Sequence, residues 1–388
     1  MNWTPGSAAI KDLWGLDPEV TFLNHGSFGA TPRRVLAEQR RWQDEMEREP
    51  VRFLARELGP RLEAVRDRLA TFLHADRAGL VLVQNATTGV NAVLRSLPWQ
   101  PGDEILLADM SYNAVKQAVH HLHDQFGVMA VEAVVPFPIE DPAEVTAAFA
   151  ARIGPRTRLL LVDHVVSPTA LVWPVAELVA LARRHGVAIL VDGAHGPGML
   201  DLDLDALGAD FYTGNLHKWA YAPKGAAVLW VGPAWRDRIH PVSTSHAYGL
   251  GLLPEFDWTG TTDPSAWLAI PAALDFHASL PGLNTACHQL VRDGRRVIAD
   301  ALGVALPHPD DPRLYANLAA IPVPGPFSGN PADAARRTAD LYDAHHIEVP
   351  FTTYDERLWV RVSGNAYNHA DDYRRLADAL TSGRGRGG

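Results

Sequence analysis

Short apolar runs separated by segments of helical periodicity constrain this chain more than any other feature in it. The runs are Leu80–Gln84, Glu104–Ala108, Val128–Val135, Arg158–Asp163, Val187–Asp192, Asp210–Thr213 and Ala226–Val231. Helix-period stretches lie between several of them, such as Tyr112–Gln125, Glu144–Arg152 and Val175–His185. Runs of Val and Leu without polar alternation are buried on both faces, and parallel neighbours need long crossovers. The pattern therefore predicts an α/β fold with a mostly parallel sheet flanked by helices. With 388 residues there is room for a second, smaller core. From about Pro254 the texture changes, with Trp, Pro and Gly clustered through Trp258–Pro264 and helical patterns from Ser265 toward Leu302. A strand-like Leu358–Val362 and a last helix near Ala370–Leu380 follow. The expected division is an N-terminal segment, 1–20, packing on the small domain, a large domain, 21–255, a small α+β domain, 256–382, and a disordered Gly/Arg tail, 383–388. Ahead of the first run, an arginine-rich helical region from Pro32 to Ala75 is expected to break at Pro50 and again near Gly59-Pro60.

A formal net charge of −10 argues against nucleic-acid binding by phosphate neutralisation. The single cysteine, Cys287, excludes an intramolecular disulfide and fits a reducing compartment. The N-terminus lacks the layout of a signal peptide, and no apolar run approaches the length of a membrane span, so a cytoplasmic protein without membrane contact is expected. His120 and His123 have metal-ligand spacing but no accompanying acid or cysteine set; a solvated helix face is the reading, with no metal expected.

In an open parallel sheet, ligands bind at the carboxyl ends of the strands. The first run ends in Asn85-Ala86-Thr87-Thr88-Gly89. Hydroxyls and a glycine at a helix N-terminus make an anion site, though an ordinary helix cap has the same composition. The fifth ends in Asp192-Gly193-Ala194-His195, where a buried carboxylate needs a partner such as a cationic ring nitrogen, a helix cap or a metal. The sixth leads into Gly214-Asn215-Leu216-His217-Lys218-Trp219. Of 35 basic residues only Lys11, Lys116, Lys218 and Lys224 are lysine, so an amine behind a sheet strand, shielded by Leu216 and Trp219, stands out. Desolvation would lower its pKa and free it for a Schiff base. A phosphate cradle, an acid for a ring nitrogen and such a lysine together are what pyridoxal 5′-phosphate requires.

With these motifs in this order, the chain resembles the class V aminotransferase family of fold-type I pyridoxal phosphate enzymes, and within it the isopenicillin N epimerase-like branch. The resemblance spans about Thr21 to Leu380 and includes Leu23–Gly29, Gly260-Thr261-Thr262-Asp263 and Arg361–Asn368. It implies a seven-stranded, mostly parallel sheet. By motif position it implies that Thr87 and Thr88 bind the cofactor phosphate, with Asn215 and His217 completing the cradle. Asp192 would face the ring nitrogen, His195 the phenolic oxygen, and Thr261 the phosphate in a neighbouring subunit, so that a homodimer shares its sites. Arg361 would hold the α-carboxylate of a small amino-acid substrate, with Asn24 and Tyr112 nearby.

Two departures from the family pattern stand out. The loop Asp109–Asn113 carries no histidine to stack on the cofactor, which leaves Tyr112 as the aromatic candidate and Met110 as the alternative. Thr262 stands where the epimerase-like motif often has arginine. Glu348–Tyr354 holds no cysteine, which disfavours desulfuration by a loop thiol. Two reactions then compete. Epimerisation needs acid–base groups on both faces of Cα, so Lys218 would need Tyr112 or His25 opposite. A β-eliminating carbon–sulfur lyase needs Lys218 alone as base; transamination is the further alternative. A nicotinamide dehydrogenase is disfavoured, because Asn85–Gly89 supplies only one glycine where the dinucleotide turn needs three. A non-catalytic binding module would not be expected to keep both Lys218 and Asp192.

Overall fold

The computed structural model describes residues 3–325 and 330–382. The tail expected to be disordered, 383–388, lies outside the described residues. Seven strands form one sheet: β1 (Leu80–Val83), β2 (Glu104–Ala108), β3 (Met129–Ala133), β4 (Thr157–Asp163), β5 (Ala188–Asp192), β6 (Phe211–Asn215) and β7 (Ala227–Val231). Their spatial order is β1-β7-β6-β5-β4-β2-β3. Only β7 runs antiparallel to its neighbours, β1 and β6. Those two therefore point the same way as β4 and β5, and the carboxyl ends of all four strands gather at one edge.

The absence of polar alternation in the runs has a direct structural counterpart. Side chains on one face, including Leu82, Leu106, Leu160, Ile189 and Val228, belong to one core. Their sequence neighbours Val81, Ile105, Leu159, Leu190 and Leu229 belong to another on the opposite face. These strands are thus apolar on both sides because helices cover both, whereas the edge strand β3 is largely exposed.

In the arginine-rich region the chain breaks at Glu49, and Pro50 begins a new turn, as its fixed φ favours. The second expected break does not occur. A wide π turn over Phe53–Glu57 leads directly into the helix Leu58–Leu73, which contains Gly59 and Pro60. Pro60 falls in the first turn of that helix, next to the widened segment, where a missing N–H costs little. The arginines pair with acids across this arm, among them Arg61 with Glu45 and Glu57. Arg66 forks onto Asp257 at 2.7 and 2.8 Å, tying the arm to the end of the large-sheet region.

A second sheet is three-stranded and antiparallel, with β8 (Leu318–Val323), β9 (Phe351–Tyr354) and β10 (Arg357–Ser363) in the order β9-β10-β8. It packs with the helices Leu283–Leu302 and Ala370–Ser382 around a core containing Val291, Ile321, Val360 and Leu376. Only β10 was legible in the sequence. Pro322 masks β8, yet β8 is an edge strand, where proline is tolerated. The β9–β10 hairpin turns through Asp355 and Glu356, both at positive φ, without the Asn-Gly signature of such turns. Near the N-terminus, Thr21–Phe22 pairs in parallel with Ile347–Glu348.

Gly29 shows how tightly the N-terminal segment is drawn against the large sheet. Its φ is +71°, and a Cβ there would sit 2.1 Å from the His217 carbonyl oxygen and 2.9 Å from Lys218 Cα. Gly29→Ala is expected to destabilise the fold by about 1–3 kcal/mol, read as a lower urea midpoint at unchanged slope. An unchanged midpoint would mean that this segment yields without strain.

Candidate active site

Where β1, β4, β5 and β6 end, they surround a cavity of about 310 Å³. It is lined by Thr87, Asp192, His195, Asn215, His217, Lys218 and Tyr112, seven of the residues singled out from the sequence. Asn24, His25, Thr88, Thr261 and Arg361 are not among its lining residues.

The helix Ala86–Ser96 follows β1 and opens onto this cavity. Three of its first N–H groups have partners: Ala86 donates to Asn215 Oδ1 at 2.9 Å, Thr88 to Asn85 Oδ1 at 2.8 Å, and Gly89 to the Asn85 carbonyl at 3.2 Å. The Thr88 hydroxyl also donates to Asn85, at 3.1 Å. Thr88 therefore belongs to the helix cap, whereas Thr87 presents its N–H and hydroxyl at the positive end of the helix. With the Asn215 oxygen committed to Ala86, its amide group is the donor available on the cavity side. This arrangement fits a phosphate. His217 Nδ1 donates to the Ala226 carbonyl, 3.3 Å away. Burial, reinforced by Lys218, pulls the His217 ring down to about 4 and keeps it neutral.

Lys218 is buried, and Nζ lies 3.3 Å from His195 Nε2. Burial, then the positive charge of Arg361, lowers its amine to about 7, against the opposing pull of Asp192. The other lysines are placed differently. Lys116 is bonded to Glu132 and to the Asp109 carbonyl, Lys224 to the Gly29 carbonyl, and Lys11 is exposed. The His195 ring is held from its other side by Trp219 Nε1, at 3.3 Å. Burial drives it far below the ordinary histidine range. Asp192 accepts the Ala194 N–H at 3.0 Å, and burial raises its carboxyl above the usual range. A buried acid with a single backbone donor, a desolvated amine and a helix N-terminus in one cavity match the ring nitrogen, aldehyde and phosphate of pyridoxal phosphate.

Arg361, on β10, is buried and makes no ion pair among the described residues. Its guanidinium donates to the Ser167 carbonyl at 2.7 Å, to Ser167 Oγ at 3.0 Å and to Ser27 Oγ at 3.2 Å. Both serines line the cavity. Burial lowers the guanidinium to about 10. A buried cation without an ion-pair partner among the described residues, held by two hydroxyls and a carbonyl at a cavity wall, is chemically suited to a carboxylate.

Asn24 stands one step further back. It accepts the Ser27 hydroxyl at 2.5 Å and donates to Glu348 Oε1 at 2.9 Å. His25 does not reach the cavity. Its Nδ1 lies 2.7 Å from the Tyr367 hydroxyl and its Nε2 3.0 Å from the Lys218 carbonyl, and burial lowers the ring to about 3. Both nitrogens are engaged behind the lysine, so the structure does not offer His25 as a base opposite it. Tyr112 is half-exposed at the cavity, while Met110 is buried and takes the Thr169 hydroxyl at its sulfur. Thr261 is exposed on its loop. His120, His121 and His123 lie on a solvated face, and Cys287 is buried inside a helix.

Three polar residues of the cavity carry no role in the sequence reading: Ser27, Asp163 and Ser167. Asp163 ends β4 as Asp192 ends β5, so the argument from a buried acid at a strand end applied to both. Ser27 lay inside a recognised segment. Ser167 carried no signal of its own.

A class V aminotransferase family model matches residues 29–290. Isopenicillin N epimerase of Streptomyces clavuligerus is 36% identical, over 94% of this chain and 95% of its own. A probable chloroplastic L-cysteine desulfhydrase of Arabidopsis thaliana is 33% identical, over 98% of this chain and 86% of its own. Among solved structures, the cystine C–S lyase C-DES in complex with its product cysteine persulfide superposes with a TM-score of 0.82 at 24% identity, covering 94% of this chain and 98% of that one. The fold, the cavity and these relatives agree: the chain belongs to the class V aminotransferase family of pyridoxal phosphate-dependent enzymes.

Proposed function

We propose that this enzyme removes the Cα proton of a small α-amino acid through Lys218 and expels a sulfur substituent from Cβ, as a carbon–sulfur lyase. The observation that carries this reading is the single desolvated amine of the cavity. Lys218 is the desolvated amine in the cavity, and His25, the histidine that could have served the opposite face, is engaged elsewhere. Bound pyridoxal phosphate supplies an aldehyde carbon for an amino group and a ring nitrogen that draws electrons from Cα.

In this reading, Lys218 Nζ would hold the cofactor at its aldehyde carbon, and its neutral amine would take the proton from Cα of the bound substrate. Its lowered pKa makes the neutral amine available near neutral pH. Asp192 holds the proton at the ring nitrogen. Thr87, Asn215 and His217 seat the phosphate, with Thr88 acting through the cap and Thr261 reaching a second subunit's phosphate in a cytoplasmic homodimer. His195 sits between Lys218 and Trp219 and would meet the phenolic oxygen. Arg361 takes the α-carboxylate, with Ser27 and Ser167 orienting it and Asn24 orienting Ser27. His25 fixes the Lys218 main chain through its carbonyl.

The epimerase reading keeps one specific support, since Tyr112 lines the cavity with an exposed ring and could return a proton from another side. Relatives named for both activities match the chain at similar identity. Incubation with L-cysteine or an S-substituted cysteine in D2O separates the two: stoichiometric pyruvate is expected. Deuterium at Cα of recovered, racemised substrate without pyruvate would overturn the lyase reading.

The stripped protein should regain cofactor at a rate that rises about tenfold per pH unit below 7, as Lys218 loses its proton, and levels off above it. A rate still climbing at pH 10 would remove the desolvated amine from the argument, and Lys218→Ala should abolish the visible band. Arg361→Ala should raise KM for amino acids by more than tenfold while leaving the cofactor absorbance in place. A loss confined to kcat would assign the guanidinium another task.

A further inference from the structure

Asp163 lies in register with Asp192 on the neighbouring parallel strand, and both carboxyls are buried at the same cavity. In-register residues of adjacent parallel strands project to the same side of the sheet, so these two acids are close neighbours. Two negative charges so placed, away from water, do not both persist.

We propose that Asp163 and Asp192 form a one-proton pair in which Asp163 carries the proton and so leaves Asp192 as the single anion of the pair, the charge that meets the cofactor ring nitrogen. Asp163 is thus a positioning residue for Asp192, and the inference rests on the reading of Asp192 as the ring-nitrogen acid.

The surroundings decide which member keeps the proton. Asp192 receives the Ala194 N–H at 3.0 Å and feels the positive charge of Lys218, both of which favour its ionised form. Asp163 has no such cation. It accepts the Ser111 hydroxyl at Oδ2, 2.9 Å away, and the Tyr112 N–H also favours its anion. Those donors are outweighed: burial, then the negative Asp192, pushes Asp163 up to about 8. Ser111 is itself held, because its oxygen accepts the Ala108 N–H at 3.2 Å. Its one proton is therefore turned to Asp163. The other titratable groups around the pair do not reverse the assignment. His164, the next residue, is neutral through burial and bonds the Tyr212 hydroxyl at 3.0 Å. Burial and Asp192 raise Tyr212 well above the ordinary tyrosine range. His195 is likewise neutral.

The arrangement matters for charge balance in the cavity. With both acids ionised, the site would repel the phosphate and substrate carboxylate it has to admit. With both protonated, a ring nitrogen would meet no anion. One shared proton leaves one negative charge, and Ser111 fixes the carboxyl that does not bear it.

Infrared spectroscopy on the full-length protein, stripped of cofactor and again after reconstitution, tests this directly. At pH 7 the stripped wild type should show a carboxylic-acid C=O band that fades as pH rises through about 8. Asp163→Asn should abolish the band. Asp192→Asn, which removes the repelling charge, should move its fading to lower pH, and Ser111→Ala, which removes a donor to the anion, to higher pH. Reconstitution should leave the band present at pH 7. If Asp163→Asn disturbs folding, the opposite shifts in the other two variants still decide the question. No band in the wild type, or a band kept in Asp163→Asn and lost in Asp192→Asn, would overturn the proposal. Failure of the ring-nitrogen reading would show separately, as Asp192→Asn holoenzyme with an unchanged cofactor spectrum and full activity.

Discussion

A sheet buried on both faces has nowhere to put polar groups except where its strands end. The inner strands of the large sheet obey this constraint, with apolar neighbours alternating between two cores, while the edge strand β3 is largely exposed. The reactive groups Asp163, Asp192 and Asn215 are the terminal residues of β4, β5 and β6, and Lys218 follows three residues after the last. Because β7 alone reverses direction, the end of β1 joins them and brings the helix N-terminus with Thr87 to the same edge. Each group is then removed from water by the same packing that stabilises the sheet. Desolvation is the first cause of the shifts at Lys218, His195, Asp192 and Asp163. Burial that would be a liability for an isolated charge becomes the source of reactivity when amine, acids and anion seat are buried together.

How much of this could be read from the chain follows the same physics. Strands of the large sheet announce themselves as apolar runs, and their ends carry the motifs, so Lys218, Asp192, Thr87 and Asn215 were visible by position. Roles that depend on side-chain direction were not. His25 and Thr88 sit within recognisable segments, yet the Tyr367 hydroxyl and Lys218 carbonyl claim the one and Asn85 the other. Spacing along a chain does not say which hydrogen bonds a ring or hydroxyl already makes. The small sheet was harder still, since Pro322 and the Asp355-Glu356 turn contradict the local signals of a strand and a hairpin. Both are tolerated because tertiary packing overrides local preference at an edge strand and a surface turn.

The scarcity of lysine has a structural side as well. Arginine supplies the surface pairs of the arm and the buried fork to Asp257, where a planar, permanently charged group is suited. It also supplies Arg361, whose charge survives burial. The one lysine lining the cavity is Lys218, whose charge is disfavoured by burial and by Arg361 nearby.

Arg361 is held by Ser27 and Ser167, partners 334 and 194 residues away along the chain. The cradle, the acids and the amine all lie between residues 85 and 218, whereas the guanidinium belongs to one of the last strands. On a ribosome, therefore, the segment proposed to grip the cofactor emerges well before the one proposed to grip the substrate. A nascent or C-terminally clipped chain ending short of β10 would lack the proposed substrate anchor, and the hydroxyls of Ser27 and Ser167 would have no cation to orient. With the roles proposed above, completion of synthesis is then what would convert a cofactor-holding sheet into a site that discriminates amino acids from amines.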